Sequence, residues 1–338
     1  AQKAVAGMRV VQGFRADLVA AEPDVVQPIA FALDERGRLW LLEGISYPNK
    51  QPEGKGRDRI VILEDADGDG AFETRKVFAE GINLGSGLEV GFGGVFVGAA
   101  PELLFYTDKD HDDRADGPPE VLLDGWGYQD THETLNSFTW GPDGWLYGNQ
   151  GVFTNSRVGK PGTPDEQRVP VRAGVWRWHP VRRVFEVFSH GGSNQWGLDY
   201  TATGDFFMTH CRSFYGGGGT TYAIRNGHFW NQANGNYAAF ISPEAPDFAP
   251  ELKNYLPASD KYDSGEGGAG KPGTTAVYGG HSHVGTLIYQ GDNWPALYRG
   301  HLFTHNLHGH QMNHQTLERD GSGWGAVHGG WDMLWGPD

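Results

Sequence analysis

The sequence predicts an all-β fold, a six-bladed β-propeller whose sixth blade is incomplete over the residues present. Three observations carry this. A unit of apolar strand, Gly-containing turn and second apolar strand recurs along the chain. Its turn glycines Gly37, Gly94, Gly144 and Gly204 stand 57, 50 and 60 residues apart, the period of one four-stranded blade. Aromatics make up 13% of the 338 residues beside 52 glycines, a balance that suits short strands joined by tight turns rather than helices. A β-sandwich explains the repeat less well.

Taken in order, the unit reads IAFALDERGRLWLLE at 29–43, LEVGFGGVFVGAA at 88–100, NSFTWGPDGWLYGNQG at 136–151 and WGLDYTATGDFFMTHC at 196–211. A looser copy is GTLIYQGDNWPALYRGHLFTHN at 285–306, and MLWGPD at 333–338 opens a sixth. Between the copies lie outer hairpins at 60–78, 102–123 and 175–188. Residues 213–280 differ. They are rich in Gly and Pro, yet hold Phe214, Tyr215, Tyr222, Phe229, Trp230 and Tyr237, and are expected to form an ordered lid inserted into a single propeller domain over 1–338.

Composition excludes several classes. The net charge of −15 argues against a nucleic-acid or anionic-membrane partner and permits bound cations. No apolar run has the length of a membrane span. One cysteine, Cys211, excludes internal disulfides and Cys-cluster metal sites. The AQKAV start fits a mature end left by signal cleavage, and the WGPD end fits a chain that continues.

Two acidic turns have the spacing of a hard-cation site. Asp65, Asp67 and Asp69 alternate, with Glu73 eight residues after the first, and Asp108, Asp110, Asp112 and Asp116 repeat the pattern. Alternating carboxylates in a turn converge on Ca²⁺. Lys76 stands where an EF-hand would have its glutamate, so the expected site is a rim hairpin with a structural role. An ion-free Asp–Gly turn is the alternative.

Candidate chemistry gathers where chain segments enter or leave the inner strands, the side of a propeller that lines its axis. His132 precedes the third unit and is the candidate base. The second histidine of a zinc-protease motif is missing there, since Asn136 occupies its position. Asn194 and Gln195 precede the fourth unit, and His210 and Arg212 leave it. His283 precedes the fifth and His308 follows it. Seven of the 14 histidines lie between 279 and 314, so His281, His283, His305 and His308 are also candidate ligands of a transition metal.

The stretches GPDGWLY, HETLNSF, GGSNQWGLDY and GGHSHVGTLIYQGDNWPALYRGHLFTHNLHG resemble the large membrane-bound-dehydrogenase propellers of planctomycetes and verrucomicrobia. Those are similar in turn to PQQ-dependent soluble glucose and sorbosone dehydrogenases. The resemblance covers about residues 12–338. It implies a six-bladed propeller, export to the periplasm or beyond, and a quinone site on the axis. It also implies oxidation of a sugar hydroxyl or aldehyde, with a cytochrome c as electron acceptor. In that chemistry a His before the third inner strand takes the hydroxyl proton while hydride passes to the quinone C5, and His132 matches it. Of an Arg–Asn pair that contacts the quinone, Asn194 matches, with Ser193 in place of Arg. His308 falls near a Lys that grips the quinone carboxylates. The expected cofactor contacts are thus Asn194, Gln195, His210, Arg212, His283 and His308. Two other readings stand beside this one: a His-ligated, metal-dependent carbohydrate enzyme, and a non-catalytic propeller that binds carbohydrate or protein.

Overall fold

The computed structural model describes residues 1–192, 194–210, 217–229, 244–246, 283–307, 311–329 and 331–336. Its contacts divide into two compact units. One holds Ala1, Leu18–Arg172 and Trp176–Glu186; the other holds Gln2–Asp17, Ala173–Val175 and Val187–Asp338. A short helix α1 (Gln2–Gly7) and strand β1 (Arg9–Val10) open the chain and belong to the second unit. Among the described residues no helix is long and apolar enough to cross a membrane.

The first unit begins with two antiparallel meanders. β2 (Pro28–Leu33), β3 (Leu39–Glu43), β4 (Asp58–Glu64) and β5 (Thr74–Ile82) form one sheet in chain order. β6 (Gly85–Gly91), β7 (Gly94–Ala99), β8 (Glu102–Thr107) and β9 (Glu120–Leu123) form the next. Strict alternation puts Trp40, Leu42, Ile60, Ile62 and Phe78 on one face of the first sheet. They pack against Leu88, Val95, Val97 and Tyr106 of the second. Each such side chain contributes about 1.5–3 kcal/mol by leaving water. β10 (Asn136–Trp140) and β11 (Leu146–Gln150) start a third sheet. β12 (Ser156–Val158) and β13 (Val169–Val171) pair as a separate ribbon. β14 (Gly174–His179) and β15 (Val184–Gly191) then complete the third sheet in the order β10-β11-β14-β15.

In the second unit β16 (Gln195–Tyr200), β17 (Phe206–His210) and β18 (Gly217–Ala223) form the fourth meander. β19 (His228–Phe229) runs parallel to the end of β15, and β20 (Glu244–Pro246) pairs with β18. The segment expected as a lid therefore contributes strands where the β-branched and aromatic run Thr220-Thr221-Tyr222 lies. The fifth sheet comprises β21 (His283–Ile288), β22 (Leu302–Asn306), β23 (Gln311–Asp320), β24 (Gly323–His328) and β25 (Leu334–Trp335). β24 and β25 share one edge of β23, and β1 pairs with β25. The start of the expected sixth unit is thus, over Leu334–Trp335, a strand of the fifth sheet. Tyr298, Phe303 and Met333 pack there against Phe14, Trp294 and Trp331.

The five first strands share a device. Each has a register shift at its entry: Pro28/Ala30, Gly85/Gly87, Asn136/Thr139, Gln195/Leu198 and Val284/Leu287. A bulge at the same place in every unit is structural evidence that the units are equivalent, and it turns the preceding segment away from the sheet. The turns that follow use left-handed glycines at Gly37, Gly93, Gly144 and Gly204. In the second repeat the turn residue is Gly93 rather than the expected Gly94, which already begins β7.

Candidate active site

His132 lies in the loop that enters β10, and its side chain is 69% exposed. Asp130, two residues earlier, fixes it twice. Its Oδ1 accepts the His132 backbone N–H at 3.0 Å and faces the ring Nδ1 at 2.7 Å. A carboxylate beside Nδ1 selects the Nδ1–H tautomer and leaves the Nε2 lone pair turned outward. The edge of Tyr47 meets the ring at a centroid distance of 5.6 Å and 87°. Burial, and then the Asp130 carboxylate, hold the Tyr47 phenol above its ordinary value, so it stays a neutral O–H. Three residues on, the Lys50 ammonium donates to Ala100 O at 2.6 Å and lies 5.4 Å from the Tyr128 ring centroid. Burial lowers its affinity for a proton.

The residues behind His132 face inward. Glu133, Thr134 and Leu135 are 0–1% exposed. Glu133 is a carboxylic acid pushed up to about 8, chiefly by burial and also by the Asp130 charge, against the pull of the Phe153 and Val152 N–H groups. Neither Asp130 nor Glu133 was singled out by sequence reasoning. The signal for Asp130 was the Asp-x-His spacing, since a carboxylate two residues before a His can cap both its N–H and its ring.

In the second unit the expected residues divide. Asn194 precedes β16, and its Oδ1 is buried with no hydrogen-bond partner among the described residues. Gln195 is fully buried and donates to Gly191 O at 2.8 Å, so part of its amide holds its own strand entry together. His210 lies on β17 opposite Gln195. His283 is buried at 3% and pairs with Asn306, whereas the exposed His305 pairs with Val284. Adjacent residues of a strand face opposite ways, so His283 and His305 lie on opposite faces of the sheet and do not share a metal. Arg212, His281 and His308 lie outside the described residues.

Two histidine pairs that sequence reasoning missed lie in this unit. His301 Nδ1 meets His314 Nε2 at 2.7 Å, with His314 stacked on Phe303. His190 and His228 stack at 4.8 Å and 18° across the β15–β19 pair. Burial, then the His228 charge, lowers the His190 imidazole.

The acidic turns close the β4–β5 and β8–β9 hairpins. Oxygens of Asp65, Asp67 and Glu73 lie within 4.8 Å of one another, as do those of Asp108, Asp110 and Asp112. Asp69 and Asp116 are outside these groups. Asp69 Oδ1 accepts the Ala71 N–H at 2.8 Å, and Asp116 Oδ2 accepts the Lys109 N–H at 3.1 Å. Asp65 also accepts the N–H groups of Gly68, Asp69 and Gly70, so the first turn is already hydrogen-bonded by itself.

Comparison with known proteins bears on the fold. The PQQ domain of a pyranose dehydrogenase from Coprinopsis cinerea superposes with a TM-score of 0.58 at 15% identity, over 98% of this chain and 87% of that one. A PQQ-bound aldose sugar dehydrogenase from Streptomyces coelicolor does so with a TM-score of 0.56 at 14% identity, over 92% and 81%. These likenesses show the fold, a β-propeller. No curated protein sequence matches the chain significantly. A family model described as a domain of unknown function, DUF7133, matches residues 1–332, and the chain belongs to that family.

Proposed function

We propose that this chain is an oxidoreductase that acts on a hydroxyl of a sugar or related alcohol or aldehyde, with His132 as the base. The observation that carries it is the Asp130–His132 pair at the entry to β10, with Nδ1 held at 2.7 Å and Nε2 left open. Such a base takes the substrate hydroxyl proton on Nε2, and Asp130 stabilises the imidazolium that forms. The neutral Tyr47 O–H lies on the same loop cluster and serves as a donor to a sugar oxygen. The proposed substrate class takes support from the names of the structural neighbours, a pyranose and an aldose dehydrogenase.

PQQ would supply the oxidising quinone. It carries three carboxylates and calls for fixed cations. The Lys50 ammonium, three residues after Tyr47, is committed to Ala100 O and the Tyr128 face. The Asn194 Oδ1 takes an N–H or O–H donor, not a carboxylate. Arg212 and His308, outside the described residues, are the proposed grips for those carboxylates. We extend the reading to export, to a cytochrome c acceptor, and to structural Ca²⁺ at the Asp65–Asp67–Glu73 and Asp108–Asp110–Asp112 turns.

The test is dye-linked oxidation of aldoses by the purified chain after incubation with PQQ and Ca²⁺, compared with His132→Gln. The exposed position leaves the fold intact, and loss of the base is expected to lower turnover roughly 10²–10⁴-fold. Equal turnover in the two proteins refutes His132 as base.

A further inference from the structure

We propose that Glu133 is the residue that positions the His132 base, by latching the Asp130–Leu135 loop onto the turn that follows β11. The inference rests on the reading of His132 as a base. Neighbouring residues of this loop point opposite ways. His132 is turned to solvent, while the next side chain is 1% exposed. Glu133 holds the turn at two points: its backbone C=O accepts the Gly151 N–H at 2.9 Å, and its Oε1 accepts the Phe153 N–H at 2.7 Å. Residue 151 has to be glycine for this. A Cβ there would lie 2.1 Å from Glu133 Oε2 and 2.3 Å from its carboxyl carbon. The neighbouring bonds brace the same junction. Leu135 N–H donates to Gln150 Oε1 at 2.8 Å, and Gln150 Nε2 donates to Thr154 Oγ1 at 2.8 Å.

The second oxygen makes this more than a structural bond. Oε2 is buried and has no hydrogen-bond partner among the described residues. Among the described residues no cation acts on this carboxyl, and burial outweighs the pull of the Phe153 and Val152 N–H groups, so the latch is closed by the protonated acid. The 151–153 turn packed against it carries no ionisable side chain, and the charge that acts on it is Asp130, which repels ionisation further. His132 thus has one carboxylate, Asp130, on its ring and a neutral acid behind its backbone. Ionising Glu133 buries an unpaired charge and loosens the loop that aims Nε2.

The experiment uses the full chain with Glu133→Gln and Glu133→Ala. The His132 ring resonance is followed by NMR from pH 5 to 9.5 and assigned by its loss in His132→Gln. An uncharged amide keeps a carbonyl for Phe153 N–H. Glu133→Gln should therefore retain the wild-type resonance at pH 6.5 but lose a second inflection on the alkaline side, which wild type should show. Glu133→Ala should shift or broaden the ring signal. In turnover, Glu133→Gln should stay within about threefold of wild type. Glu133→Ala should lose about 10–100-fold in kcat with KM nearly unchanged, the penalty of a misplaced catalytic group. An alkaline inflection that persists in Glu133→Gln overturns the proposal, and so does an unchanged ring signal in folded Glu133→Ala. Should the alanine chain not fold, the wild-type and glutamine titrations decide alone. If wild type oxidises no sugar yet the ring responds as expected, the functional reading fails and the latch stands.

Discussion

Replacing Glu133 by glutamine should make the chain more stable, and increasingly so as the pH rises. The carboxyl is pushed up to about 8 in the folded chain, against a value of 4.5 for an ordinary glutamate. A raised carboxyl binds more protons folded than unfolded between those values. Its contribution is therefore fully present below about pH 4.5 and is lost as pH rises toward 8. At about 1.36 kcal/mol per pH unit, the stability difference between Glu133→Gln and wild type should grow by about 3 kcal/mol from pH 5 to pH 8. Other titrating groups are common to both proteins and cancel in the comparison. Urea unfolding of each protein at pH 5, 6, 7 and 8, followed by tryptophan fluorescence, measures the change. The midpoints should separate by roughly 1 M between the extremes. A difference that stays flat with pH would mean that Glu133 ionises as freely in the folded chain as in the unfolded one, and the neutral latch would be refuted.

Three further outcomes are expected. Gly151→Ala forces a Cβ onto the Glu133 carboxyl and should cost about 1–3 kcal/mol, and adding it to Glu133→Ala should cost less than the sum of the two, as a double-mutant cycle of melting measurements would show. Phe78→Ala removes a ring that is 3% exposed and meets Trp40 at 4.9 Å, so it should destabilise by about 3–5 kcal/mol in the same urea assay. A chelator should lower the melting temperature of protein prepared with Ca²⁺ and leave Asp67→Asn, Asp110→Asn unchanged; an equal response of both proteins would leave the acidic hairpins as plain turns.

Much of the fold was legible because its rules are local. Alternation marks a strand, and a left-handed glycine marks the turn between two of them, so the strand pairs of the five repeats follow from neighbouring residues. The place of His132 directly before a recurring strand was legible for the same reason. The rest depended on distant partners. A loop has no period, so nothing in THETLNSF shows that Glu133 turns inward while His132 turns outward. That is settled by Phe153 and Gly151, about 20 residues on. The separation of His283 from His305 follows from the pairing of Val284 with His305, and spacing along the chain does not reveal register. The contact of His301 with His314 likewise arises from neighbouring strands.

The bulge at the entry of every first strand also insulates the sheets from the loops. Inside a strand, one residue gained or lost reverses which side chains meet the core. Ahead of the irregularities at Asn136/Thr139 or Gln195/Leu198, that parity is already broken. A loop there can change length or composition without inverting Trp140 or Leu198 behind it. Each repeat can thus be remodelled separately at its mouth, and relatives with the same framework are free to place different chemistry at each entry.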